Sequence, residues 1–70
     1  MILIFKTSVK TKSEELRLRP YIENIVREGK WNFDLEDSDK IFRVETEKNI
    51  FYPLISLFHE KGFLCEELED

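Results

Sequence analysis

The sequence predicts an α+β fold in which a four-stranded antiparallel sheet carries two helices on one face, in the order strand, helix, strand, strand, helix, strand. Two helix-period stripes, each closed by a glycine, alternate with short runs of period-two apolar residues, and one polar turn joins two of those runs. Composition supports a compact core. In 70 residues, 41% are hydrophobic, six are Phe and one is Trp, while only two are Gly and two Pro. A chain of this length buries only about 60% of its unfolded surface, so nearly every large apolar residue is needed for stability. One domain spanning residues 1–70 is expected.

Each element follows from its pattern. Met1 to Thr7 is too short and aromatic for a helix and is expected as a strand, with Leu3, Phe5 and Thr7 on one face and Ile2, Ile4 and Lys6 on the other. Thr11 followed by Glu14 has the spacing of a capping box, so a helix should begin there. Leu18, Ile22, Ile25 and Val26 form its apolar stripe, and Gly29 is the expected stop. Pro20 interrupts that stripe, and a kink or break is expected near Leu16 to Arg19.

Trp31, Phe33 and Leu35 alternate with polar residues, as do Phe42, Val44 and Thr46, and the turn Asp37-Ser38-Asp39-Lys40 joins them as a hairpin. Ile50, Leu54, Leu57 and Phe58 repeat the helical offsets, with Pro53 tolerable in the first turn and Gly62 as a left-handed stop. Phe63 to Leu68 is expected as the last strand. This order is the split βαβ arrangement of ferredoxin-like folds.

Within that frame, the Phe5-Lys6-Thr7 strand end, the loop to Glu14 and the helix containing Pro20 resemble the heavy-metal-associated domains of small copper chaperones and metal-transporting ATPases. Trp31-Asn32-Phe33-Asp34-Leu35 and Lys61-Gly62-Phe63 resemble segments at equivalent places, so the resemblance spans the whole chain. It implies a ferredoxin-like fold, a single bent first helix, since a proline at the place of Pro20 is common in these domains, and a soft-metal site built from Cys-x-x-Cys. Matched to this chain, the two cysteine positions fall on Thr11 and Glu14. Soft ions want thiolates, whereas a hydroxyl and a hard carboxylate suit a helix cap. The ligand positions are thus degenerate, and no metal and no other cofactor is expected.

Lys6, Lys10, Lys12, Arg17 and Arg19 cluster in sequence around this loop and would repel a cation. Lys10, Lys12 and Arg17 are instead candidates for contact with an anion or an acidic partner at the helix start. His59 and Cys65 are the only soft-ligand pair, too few for a tight site; His59 is expected to face solvent and Cys65 the interior. Asp34, Glu36, Asp37 and Asp39 lack the glycine and distal Glu of a calcium loop and suit a turn. The acidic end Glu66, Glu67, Glu69 and Asp70 is expected to be solvated.

Fifteen acidic against eleven basic side chains give a net charge of −4, the wrong sign for binding nucleic acid through phosphates. No glycine-rich phosphate motif and no nucleophile with base and orienting group can be assembled, so an enzyme is not expected. A single Cys and no signal-peptide or membrane-spanning segment fit a cytoplasmic protein without membrane contact. Ile2, Ile4, Ile41 and Leu64 should fall together on the open side of the sheet, where a homodimer or protein partner would dock. The leading expectation is a non-enzymatic interaction module with a degenerate metal site. A metal carrier using Glu14, His59 or Cys65, and a small-molecule-binding regulatory domain of the ACT type, are the alternatives.

Overall fold

The computed structural model describes residues 1–36 and 40–68 and has the expected element order. Strand β1 (Ile2–Thr7) leads to helix α1 (Lys12–Ile25), strands β2 (Lys30–Asp34) and β3 (Ile41–Glu45), helix α2 (Phe51–Glu60) and strand β4 (Cys65–Glu67). All pairings are antiparallel and the sheet order is β2-β3-β1-β4, the ferredoxin-like βαββαβ arrangement. The turn residues Asp37, Ser38 and Asp39, and the terminal Glu69 and Asp70, lie outside the described residues.

Alternation decides which side of the sheet each residue occupies. In β1, Leu3, Phe5 and Thr7 are buried, and β3 aligns Val44 with Leu3 and Phe42 with Phe5 on the same face. Phe42 is the centre of the core. Its ring lies 4.6 Å from Phe33, 5.2 Å from Phe58 and 6.0 Å from Phe5, so three strands and α2 meet on one aromatic residue. Aromatic pairs at such separations add to what the buried area alone provides.

Helix α1 begins as the sequence predicts. Glu14 N donates to Thr11 Oγ1 at 3.1 Å, and Glu14 Oε1 accepts from the backbone N–H of Thr11 at 3.2 Å and of Lys10 at 2.8 Å. The capping box is complete. Its end differs from expectation, because the helix stops at Ile25, with Val26 as C-cap donating to Ile22 O at 2.7 Å. Gly29 is not a helix stop. A Cβ at that position would lie 2.4 Å from the backbone oxygen of Glu45, so glycine is required there by close approach of the chain to β3. As the resemblance implies, α1 is one helix that runs through Pro20. The carbonyl of Leu16 loses its partner, and since Leu16 and Pro20 are both exposed, water can satisfy it.

Helix α2 starts at Ile50 without a side-chain cap, and Pro53 occupies its third position, where the missing N–H would have been unpaired in any case. It ends as expected on Gly62, whose φ is 89°. Gly62 N donates to His59 O at 3.0 Å and Phe63 N to Phe58 O at 2.8 Å, the Schellman pattern. The last strand is shorter than Phe63 to Leu68, because Phe63 turns into the core and only Cys65–Glu67 pairs as a strand. Leu68 N still reaches Ile4 O at 2.8 Å.

Candidate functional site

Two surfaces bear on function: the junction between β1 and α1, and the sheet face opposite the helices. At the junction, Thr11 and Glu14 do come together, and Thr11 Oγ1 and Glu14 Oε1 each accept from the backbone. The backbone N–H of Lys10 beside Glu14 is the main cause holding its carboxyl below the ordinary carboxylate value. Of the amides at the helix start, those of Lys10 and Thr11 are met by the Glu14 carboxylate and that of Glu14 by Thr11 Oγ1.

The basic residues grouped by sequence around this loop separate in space. Lys12 pairs with Glu15 at 2.7 Å, and Glu15 is only 6% exposed, so this pair belongs to the helix packing. Arg19 reaches away toward the sheet, 3.6 Å from Glu23 and 5.0 Å above the Trp31 ring. Lys10 lends its amide to Glu14 and its side chain is exposed. Arg17 is exposed and borders a notch that Lys61 closes from the α2–β4 turn. Sequence reading did not single out Lys61, because the signal is tertiary: its ammonium sits 4.0 Å over the ring of Tyr21.

Metal chemistry finds no donor set at the junction. His59 is exposed on α2 and Cys65 half-buried on β4. Burial pushes the Cys65 thiol up to about 12, so the thiolate that a soft ion needs is disfavoured. Among the described residues no three His, Cys, Asp or Glu side chains gather as ligands. The residues present do not fit the soft-metal site that the resemblance to heavy-metal-associated domains implies. Asp34 and Glu36 are exposed, and the other two members of that acidic run lie outside the described residues.

The open sheet face is built by register. Ile2 lies opposite Glu45, Ile4 opposite Arg43, and Lys6 between Ile41 and Glu66. Lys30, Asn32 and Asp34 continue these rows on β2. Ile2 is 61% exposed, while Ile4 and Ile41 are half-buried by their neighbours. Leu64, 66% exposed, is set apart from them: it exchanges hydrogen bonds with Ser8 beyond the end of β1, and the Lys6–Glu66 row intervenes. Leu68, 41% exposed, takes the place beside Ile4. Among the described residues no helix is long and apolar enough to cross a membrane. No protein-family model matches the chain, and comparison with curated proteins and with solved structures gave no significant match.

Proposed function

We propose that this chain is a non-enzymatic protein-interaction module of heavy-metal-associated type that has no metal-transfer function and associates through its open sheet face, with a second copy as the first partner. The observation that carries this reading is the composition of that face. Its apolar centre, Ile2, Ile4, Ile41 and Leu68, is interleaved with Lys6, Lys30 and Arg43 against Asp34, Glu45 and Glu66. These six charges cancel, in a chain whose net charge is −4. Two like-charged copies repel everywhere except where the surface is locally neutral, and an apolar patch with both signs around it lowers the cost of approach. The use of Thr11 Oγ1 and Glu14 Oε1 in the helix cap, and the thiol held protonated at Cys65, support the absence of metal transfer. That single reduced thiol also suits a cytoplasmic setting.

Sedimentation equilibrium over a range of concentrations tests the proposal. The wild-type chain should approach dimer mass, while Ile4→Lys and Ile2→Lys should stay monomeric with melting temperatures close to wild type. A wild-type monomer at millimolar concentration, with the Ile4 methyl resonances unmoved by dilution, would refute self-association. Stoichiometric copper or zinc after purification in their presence would refute the loss of metal binding.

A further inference from the structure

A notch of about 220 Å³ lies between α1 and the α2–β4 turn, lined by Arg17, Leu18, Tyr21, Lys61 and Phe63. Its apolar lining comes from Leu18 and Phe63, both core residues, and Tyr21 adds an aromatic side that is 47% exposed. Lys61 is held in place from both ends. Its backbone N–H caps α2 on Leu57 O and Phe58 O, and its ammonium rests on the Tyr21 ring. Neither Arg17 nor Lys61 forms an ion pair with any carboxylate among the described residues, although the chain carries fifteen. Two cations with no ion pair among the described residues therefore flank this notch on a chain of net charge −4.

We propose that this notch docks an acidic segment of a partner protein, whose carboxylates meet Arg17 and Lys61 while an apolar side chain beside them packs on the exposed part of Tyr21. The volume suits one or two side chains of an extended segment and falls short of the roughly 300–1,000 Å³ of small-molecule sites. An inorganic phosphate fits less well. Phosphate sites use convergent amides at a helix start, and none of the residues lining the notch belongs to the first turn of a helix. A compact polyanion would also leave the exposed part of Tyr21 wet, whereas an acidic side chain brings methylene groups with it. At physiological ionic strength charges beyond about 8 Å are largely screened, so the cations at contact outweigh the distant net charge.

The proposal rests on the reading of the chain as an interaction module but uses a different surface. The test is a titration of the ¹⁵N-labelled chain with a soluble peptide alternating Glu and Leu, with its Gln and Lys counterparts, and with inorganic phosphate. Amide shifts should concentrate at Arg17, Tyr21, Lys61 and Phe63 for the Glu peptide alone and weaken as salt is raised. The double variant Arg17→Gln with Lys61→Gln should bind about tenfold more weakly, the scale expected of two exposed ion pairs. If that variant melts early, discrimination between the Glu and Lys peptides by the wild type still reads the contact. Shifts centred elsewhere, equal binding of the Lys peptide, or phosphate matching the Glu peptide in site and affinity would overturn the proposal. Ile4→Lys should leave peptide binding unchanged, so failure at the notch and failure at the sheet face are separate results.

Discussion

The two helices are secured at opposite ends. In α1 the start is closed by a reciprocal capping box and the finish is irregular at Val26; in α2 the start at Ile50 has no side-chain cap and the finish is a Schellman turn on Gly62. Their faces differ as well. Over fourteen residues α1 buries Glu15, Leu18 and Ile22, whereas α2 buries Leu54, Leu57 and Phe58 in ten. Burial of a denser apolar face can hold α2 without a polar start, while α1, with Pro20 inside it and a thinner stripe, depends more on its cap. At the start of α1, Thr11 Oγ1 and Glu14 Oε1 are used in making the helix.

The largest effect should come from the α2 side of that contrast. Phe58 is fully buried and its ring approaches Phe42 at 5.2 Å and Phe33 at 6.1 Å. Phe58→Ala should cost about 3–5 kcal/mol, by lost transfer and a cavity. A domain of this length has on the order of 4–10 kcal/mol in all. Urea unfolding should therefore show a midpoint far below that of the wild type, and a loss under 1 kcal/mol would mean that α2 is not held by its core face.

The two caps give the next comparison. Gly62 has a φ of 89° and open space where a Cβ would project, so Gly62→Ala tests backbone conformation without a clash. It should destabilise by about 1–2 kcal/mol, the cost of placing a side chain in the left-handed region. Thr11→Ala should cost about 1 kcal/mol, since it leaves the Glu14 amide without its side-chain acceptor. Both are read from urea midpoints at constant slope. If Thr11→Ala proves silent, α1 also lives on burial, and the contrast between the helices fails.

The fold was legible because its signals are local. Alternation in β1, β2 and β3, the Thr11 to Glu14 spacing and Gly62 each act within a few residues. What escaped depends on partners distant in sequence. Gly29 looks like a helix stop but is small because Glu45 O lies against it. Arg19 looks like part of a basic loop but lies over Trp31. The candidate site was correspondingly less legible: Arg17 was visible as a basic residue, but Lys61 joins it only when α2 folds back beside α1. Leu64 has the right chemistry for the open face but lies one row beyond it, with Leu68 beside Ile4 instead.

The smallest expected effect is the most specific to the α1 start. Glu14 is held below its ordinary value of 4.5, chiefly by the Lys10 amide, with the Thr11 amide and hydroxyl adding to it. The folded state thus favours the carboxylate, so the unfolded chain binds more protons as the pH falls and stability rises with pH across the interval. Its contribution is complete above pH 4.5 and is lost as the pH drops through the lower folded value. Glu14→Gln keeps a side-chain oxygen for the reciprocal bond but cannot titrate. The wild-type advantage over this variant, measured by urea unfolding from pH 7 to pH 3, should hold steady to about pH 5 and then shrink. Because every other carboxylate titrates in both proteins, the difference isolates Glu14. An advantage that stays constant to pH 3 would show that the charge does no capping, leaving the carboxylate available to a ligand.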